Sequence, residues 1–222
     1  MTDKDTANPL TLDHSDLPAI LQPPGPDGWL LVLAHGAGAG MTHGHMTSIA
    51  AALADRGIGT LRFNFPFTHQ GRRRVDSQDI STQTIEQAVN TASRLVPDAK
   101  LLIGGHSFGG RMATHYATRA DERVRGLVLF SFPLHPAGKP GTSRADHLQD
   151  IPRPMLFLSG DRDKLAEPEL LTEVLGRAPL AQLYWLHTAD HSYHILKRTR
   201  TLEESVYEEA AAVTAAFVSS LE

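Results

Sequence analysis

Short apolar runs recur along the chain from residue 29 onward, and longer segments with helical spacing separate them. The runs are continuous or nearly continuous, which is typical of strands buried on both faces of a parallel sheet. Because strands and helices alternate, the pattern predicts an α/β fold with a mostly parallel sheet of about six to eight strands and helices on both faces. The clearest runs span residues 29–35, 58–65, 100–106, 126–132, 154–160 and 181–187.

Three of the intervening segments carry an apolar stripe with the i, i+3, i+4 and i+7 spacing of an amphipathic helix. The first stripe ends before Gly57, which suits a left-handed C-terminal cap, and the second ends at Pro97. The third predicts a C-terminal helix that starts near Leu202, with Glu203 and Glu204 close to its positive end. The stripes comprise residues 46, 49, 50 and 53, then 85, 89, 92 and 96, then 202, 206, 210, 213, 217 and 221.

The chain has 222 residues and no long hydrophilic stretch at which two domains could separate, so we predict a single domain over residues 1–222. Within a lead-in of residues 1–28, the segment 10–21 is a candidate edge hairpin. Residues 133–153 are rich in proline, glycine and polar side chains and connect two predicted strands. Because functional loops concentrate in such long connections, this one is a candidate minimal lid.

The composition excludes several classes of function. With 21 basic and 25 acidic residues the net charge is -4, so no overall positive field attracts a nucleic acid or an anionic membrane. The chain has no cysteine, which removes disulfides, thiol nucleophiles and cysteine-zinc sites. Residues 1–10 contain no apolar signal segment, and no apolar run is long enough to span a bilayer. We therefore expect a cytoplasmic protein without membrane or nucleic-acid partners, and the sequence gives no indication of its oligomeric state.

The strongest chemical signal is a G-x-S-x-G pattern at residues 105–109, with Ser107 at its centre. It directly follows a predicted buried strand and opens a helical segment, which is the strand-turn-helix setting of a nucleophile elbow. Such a turn strains the serine backbone, and side chains at Gly105 or Gly109 would collide with the neighbouring strand and helix. Ser107 is therefore the candidate nucleophile, and the alternative is a glycine-rich turn that holds an inert serine.

A serine hydroxyl needs a base and an acid to orient that base, and in this arrangement the acid precedes the histidine along the chain. Asp161 and Asp163 follow one later predicted strand, and His191 and His194 follow the next. We favour Asp163, because it lies further into its loop, whereas Asp161 can cap the turn. We favour His191, because His194 lies where a helix is predicted to begin.

A developing oxyanion also needs hydrogen-bond donors, which backbone amides supply. The amide of Phe108, at the start of its helix, is one candidate, and the loop after the first predicted strand offers another at Ala37. The glycines of this GAGAG loop could also suggest a dinucleotide site, but the third glycine of that motif would have to replace Met41. No Gly-Lys-Ser/Thr of a P-loop follows either, so no cofactor is expected.

Four further residues are candidates for binding a substrate. His43 belongs to a His-Gly-His sequence in which two imidazoles could share a metal ion, but no nearby acid completes such a site, so no metal is expected. Arg72 opens a run of three arginines, which either meets an anionic substrate or forms a solvated loop. Phe65 and Phe67 lie at the end of a predicted strand and just past it, and they either line an acyl or alcohol pocket or belong to the core.

At these residues the chain resembles the alpha/beta-hydrolase superfamily, and more closely its small dienelactone-hydrolase-like branch, which includes testis-expressed hydrolase-like proteins and many bacterial predicted hydrolases. The matching stretches are LAHGAGAGMTHGHM, LRFNFPF with the following GRRR, IGGHSFGGRMAT, PLHPAGKP, LSGDRD and ADHSY. The resemblance implies an alpha/beta-hydrolase fold without a separate cap domain. It also implies that Ser107 is the nucleophile, His191 the base and Asp163 the acid, with the amides of Ala37 and Phe108 as the oxyanion hole.

Together these features predict a serine hydrolase that cleaves a carboxylic ester or related acyl bond of a small molecule through an acyl-enzyme. Thioesters and lactones pass through a similar tetrahedral intermediate, so thioesterase, lactonase or dienelactone-hydrolase-like activity stays open. Two alternatives use the same fold. One is a scaffold that binds a partner without turnover, and the other is a cofactor-free perhydrolase or haloperoxidase with the same three residues.

Overall fold

The computed structural model describes residues 10–196 and 198–221, which contain one eight-stranded sheet. The strand order is β1-β2-β4-β3-β5-β6-β7-β8 in chain numbering. Pairing is parallel from β4 across to β8, and β2 pairs antiparallel with both β1 and β4, so the predicted mostly parallel sheet is confirmed. The strands are β1 (Leu10–Thr11), β2 (Pro18–Gln22), β3 (Trp29–Ala34), β4 (Gly59–Phe63), β5 (Lys100–His106), β6 (Val124–Phe130), β7 (Met155–Gly160) and β8 (Ala181–Leu186).

Helices cover both faces of the sheet, because its central strands are apolar on both sides. Along β3, Leu30 and Val32 pack in one core cluster and Leu31 and Leu33 in the other, as the two-residue period of a strand requires. The helices α3, α4 and α5 contribute to the first cluster, and α1 and α6 to the second. The helices are α1 (Gly44–Ala54), α2 (Pro66–His69), α3 (Gln78–Leu95), α4 (Phe108–Ala117), α5 (Pro168–Leu175) and α6 (Val206–Ser219).

The strands β1 and β2 form an antiparallel hairpin at one edge of the sheet, in the segment that the sequence marks as a candidate edge hairpin. Leu12 and Leu17, in the loop between the two strands, are buried in the core. The absence of an apolar signal segment in residues 1–10 remains a sequence-based expectation, since residues 1–9 lie outside the described residues.

The C-terminal helix starts one turn later than its apolar stripe predicts. It begins at Val206, and Ser205 caps it by accepting a hydrogen bond from the backbone N–H of Glu208, whose side chain accepts one from the backbone N–H of Ser205. This capping box fixes the start of the helix, because it satisfies N–H groups that the first turn leaves without partners. The predicted start near Leu202 is therefore wrong, and Leu202 is 49% exposed.

The connection of residues 133–153 contains two short 3-10 turns, Ser143–Ala145 and Leu148–Asp150. Three of its apolar residues, Ala145, Leu148 and Ile151, are buried in the core below α4 and α5. The connection is thereby anchored on the same face of the sheet as these helices.

Among the residues that the structure describes, none of the helices has the length and apolar character needed to span a bilayer.

Candidate active site

Three side chains singled out by the sequence meet at the carboxyl edge of the parallel strands. Ser107 directly follows β5, Asp163 lies in the loop after β7, and His191 lies in the loop after β8. Because parallel strands all end at the same edge of a sheet, residues far apart in the chain converge there. The sheet thus brings His191 together with Ser107, 84 residues earlier in the chain, and with Asp163, 28 residues earlier.

Ser107 occupies a strained turn between β5 and α4. Its φ is 53°, a left-handed conformation that is uncommon for a residue with a side chain, and it is the N-cap of α4. The turn is tight because both β5 and α4 lie close to β3: a Cβ atom added at Gly105 in β5 or at Gly109 in α4 would lie 2.2 Å or 2.5 Å from the carbonyl oxygen of Ala34. Glycine at these two positions lets the strand and the helix approach β3 and leaves the Ser107 hydroxyl at the edge of the sheet.

The three side chains form a continuous hydrogen-bond chain. The ring of His191 lies between the other two groups, with Nδ1 at 2.7 Å from Oδ2 of Asp163 and Nε2 at 2.8 Å from Oγ of Ser107. A carboxylate can only accept, so Nδ1–H donates to Asp163, which leaves Nε2 free to accept the proton of the Ser107 hydroxyl. Asp163 is 2% exposed, and its other oxygen accepts from the backbone N–H of Leu165.

The geometry also separates the alternatives that the sequence leaves open. Asp161 accepts a hydrogen bond from the backbone N–H of Thr188 and pairs with His187, so it bonds to a different histidine. His194 is largely exposed and pairs with Asp190 at 3.2 Å. Neither residue takes part in the chain that reaches Ser107.

A cavity of about 580 Å³ opens beside the Ser107 hydroxyl. Its walls combine a small-residue loop with several imidazoles, and among the described residues that line it none is Asp, Glu, Lys or Arg. These lining residues therefore bring no fixed charge to the cavity. The lining residues are Gly36, Ala37, Gly38, Ala39, His43, His45, Met46, His106, Ser107, His191, Ser192, His194 and Tyr207.

The backbone amides that the sequence selects as oxyanion donors belong to two different elements. Ala37 lines the cavity in the exposed loop after β3. Phe108 is the first residue of α4, and the first N–H groups of an α-helix have no acceptor within the helix. One candidate N–H group therefore comes from a loop and the other from a helix N-terminus.

Sequence reasoning missed two histidines that support the loop of His191. His106, inside the G-x-S-x-G pattern, donates from Nε2 to the backbone carbonyl of His191 at 3.0 Å. Its ring contacts that of His45 at a centroid distance of 4.3 Å, and Nδ1 of His45 lies 2.9 Å from the hydroxyl of Tyr207 on α6. No local pattern reveals this contact, because His45 and Tyr207 are 162 residues apart.

Buried imidazoles around the site are held in the neutral form. His35 donates from Nδ1 to the carbonyl of Gly36 and accepts at Nε2 from the N–H of Phe65, and burial lowers its pKa to about 4. Burial likewise lowers the pKa of His106 to about 4 and that of His45 to about 3. A proton on any of these rings would cost hydration energy that the protein interior does not return.

This neutrality makes folding stability dependent on pH. In the unfolded chain these histidines bind protons below their ordinary pKa of about 6.5, whereas in the folded chain they bind them only near pH 4. Their contribution to the free energy of unfolding is therefore fully present above pH 6.5 and is lost as the pH falls toward 4. Each such histidine contributes a slope of up to about 1.4 kcal/mol per pH unit. Urea unfolding at several pH values between 7.5 and 4.5 measures it.

A matched pair of variants identifies the source of the slope. His106→Gln retains an N–H donor for the carbonyl of His191 but cannot be protonated, so it is expected to reduce the slope. His69→Gln makes the same substitution at an exposed position and is the matched control for the change of residue type. An unfolding free energy that stays constant between pH 6.5 and 4.5 would contradict the assignment.

The four candidate substrate-binding residues lie in different surroundings. His43 is exposed and lines the cavity. Phe65 and Phe67 are 0% and 2% exposed and pack with Phe108 in the core, so the core alternative describes their position and neither lines the cavity. Arg72 does not line it either, because its guanidinium pairs with buried Asp76 at 2.5 Å. The described residues include no group of three or more His, Cys, Asp or Glu arranged to hold a metal ion.

Comparisons with known proteins agree with this architecture. Est1E from Butyrivibrio proteoclasticus with ferulic acid bound is 16% identical with a TM-score of 0.76, covering 96% of this chain and 98% of that chain. Dienelactone hydrolase from Anabaena variabilis is 16% identical with a TM-score of 0.75, covering 96% of each chain. A serine hydrolase without lid from Xanthomonas campestris is 21% identical with a TM-score of 0.67, covering 95% of this chain and 93% of that chain.

The sequence itself supports a closer assignment than these fold similarities. A family model described as the alpha/beta hydrolase domain matches residues 27–219. The match includes the glycine loop after β3, the turn at Ser107 and the loops that carry Asp163 and His191. With the family match over most of the length and the fold agreeing, the chain belongs to the alpha/beta hydrolase domain family.

Proposed function

We propose that the protein is a serine hydrolase that cleaves a carboxylic ester or related acyl bond through an acyl-enzyme. The observation that carries the proposal is the hydrogen-bond chain from buried Asp163 through His191 to the strained Ser107. A scaffold that only binds a partner does not need these three side chains to be hydrogen-bonded to one another. The arrangement therefore favours catalysis over a scaffold that only binds a partner.

In the proposed mechanism each residue has one task. His191 accepts the Ser107 proton at Nε2 while Oγ attacks the acyl carbonyl carbon, and Asp163 stabilises the imidazolium that forms. The amides of Ala37 and Phe108 donate to the oxyanion of the tetrahedral intermediate. His191 then protonates the leaving alcohol, and a water molecule, deprotonated in turn by His191, hydrolyses the acyl-enzyme and restores the Ser107 hydroxyl.

The cavity supports a small, uncharged substrate. Its volume of about 580 Å³ lies within the range of small-molecule sites, and no fixed charge among the described lining residues would pair with a charged one. Met46, Tyr207 and the rings of His45 and His106 line it beside the small residues of the loop after β3, and these flat and apolar surfaces favour an ester with an aromatic or short acyl group. Two proteins of similar fold, the dienelactone hydrolase and Est1E with ferulic acid bound, support a small-molecule substrate.

The proposal is tested by treating the folded protein with a fluorophosphonate probe and locating the adduct by mass spectrometry. One adduct per chain on Ser107 is expected, because only an activated serine attacks such a probe at neutral pH. Protein unfolded in urea provides the control and is expected to remain unlabelled. Folded protein that stays unlabelled, or is labelled at other serines instead, would favour the scaffold.

A further inference from the structure

A second group of basic side chains lies between α4 and the connection of residues 133–153, and none of them lines the cavity beside Ser107. Arg111 and His115 are four residues apart on α4, and they form the half-buried stripe of a helix that is otherwise almost entirely buried. Arg144 and His147 are three residues apart around the first 3-10 turn of the connection. Each element therefore presents one arginine and one histidine.

Two contacts fix these elements against each other. The rings of His115 and His147 stack with a centroid distance of 3.8 Å and an interplanar angle of 17°. Nε2 of His147 lies 2.8 Å from the hydroxyl of Thr114, which itself donates to the carbonyl of Arg111, so the histidine is the donor. The stacked histidines thus hold together the two elements that carry Arg111 and Arg144.

The two arginines have no counter-charge among the described residues. Other arginines on this side of the sheet have one: Arg119 pairs with Glu86, and Arg123 with Asp121. No ion pair or hydrogen bond of either the Arg111 or the Arg144 guanidinium occurs within residues 10–196 and 198–221. Nε2 of His115 is also buried without a hydrogen-bond partner in this part of the chain.

The electrostatics agree with an uncompensated positive cluster. Burial and the charge of Arg144 lower the pKa of Arg111, and burial lowers the pKa of Arg144. Burial also lowers the pKa of both His115 and His147 to about 4, so these rings are neutral near pH 7. Holding two guanidinium groups together and partly desolvated without a carboxylate is unfavourable, and a bound anion would reverse that cost.

We propose that Arg111 and Arg144, beside the stacked pair of His115 and His147, form a binding site for a phosphate group. Two guanidinium forks match the charge of a phosphate near -2, whereas a single carboxylate is satisfied by one fork. The phosphate would join the 133–153 connection to α4, the helix whose N-cap is Ser107. The site does not depend on the hydrolytic activity, and it accepts either inorganic phosphate or a phosphate monoester.

Thermal unfolding of the full chain at constant ionic strength tests the site, with inorganic phosphate and glycerol 2-phosphate titrated separately against chloride. For the wild type the midpoint is expected to rise in a saturable manner, by about 3–6 °C at ten times the dissociation constant. Whichever compound saturates the site at the lower concentration identifies the source of the phosphate. The double variant Arg111→Gln/Arg144→Gln is expected to lose the saturable rise.

The matched control is Arg73→Gln/Arg74→Gln, which removes the same charge from an exposed loop and is expected to respond as the wild type does. Should the double variant not fold, the single Arg144→Gln variant in the connection gives the same comparison. An equal saturable rise in the double variant, or in Arg144→Gln where that variant is used, would show that the phosphate binds elsewhere and would overturn the proposal. The absence of a saturable rise in the wild type with both compounds would overturn it as well.

Discussion

Ser107→Ala is expected to lower kcat for a chromogenic ester by about 10³-fold or more, and His191→Ala by a similar factor. The two side chains act as one unit, because His191 has no proton to accept without the hydroxyl and the hydroxyl is a weak nucleophile without His191. The double variant is therefore expected to be about as slow as either single variant, rather than slower by the product of both factors. Steady-state kinetics on purified, folded samples measures all three.

His187→Ala provides the matched control. This histidine precedes His191 by four residues, is exposed and pairs with Asp161, the acid that the geometry separates from the hydrogen-bond chain. Its replacement is expected to change kcat by no more than a few fold. Additive losses in the Ser107 and His191 variants would mean that the two residues act independently, and the proposed proton transfer between them would fail.

The sequence predicts the parts of this site that depend on local signals. Continuous apolar runs mark the buried strands, and the glycines around Ser107 mark a turn that only small residues allow. Since parallel strands end at one edge, their order along the chain was enough to bring Asp163 and His191 toward Ser107. Asp163 lies further into its loop than Asp161, and it is the acid whose carboxylate contacts His191.

Other features depend on contacts that no local pattern contains. An apolar residue after a strand can face a pocket or the core, so the sequence does not decide the position of Phe65 and Phe67. Their packing against Phe108 places them in the interior. The contact between His45 and Tyr207 joins segments from opposite ends of the chain. Such groups are recognised only when the sheet order is known, because tertiary packing decides which surfaces meet.

The second large effect is expected on stability, from a substitution at Gly105, where β5 leads into the turn at Ser107. Gly105→Ala is expected to lower the free energy of unfolding by about 3 kcal/mol or more. The added Cβ would lie 2.2 Å from the carbonyl oxygen and 2.9 Å from the carbonyl carbon of Ala34, both of which belong to the backbone of the neighbouring central strand. Gly105 also has a φ of 156°, which a side chain rarely adopts, so the strain cannot be relieved by a rotamer change.

Gly44→Ala tests whether this loss comes from the clash and not from a change of residue type. Gly44 begins α1, has open space around an added Cβ, and is expected to stay within about 0.5 kcal/mol of the wild type. Urea unfolding followed by circular dichroism compares the two variants, and an insoluble Gly105 variant beside a soluble Gly44 variant gives the same result. Equal stability of Gly105→Ala and Gly44→Ala would contradict this account. It would mean that β3 and β5 can move apart at little cost, so that their close contact is not needed to keep the turn at Ser107 in place.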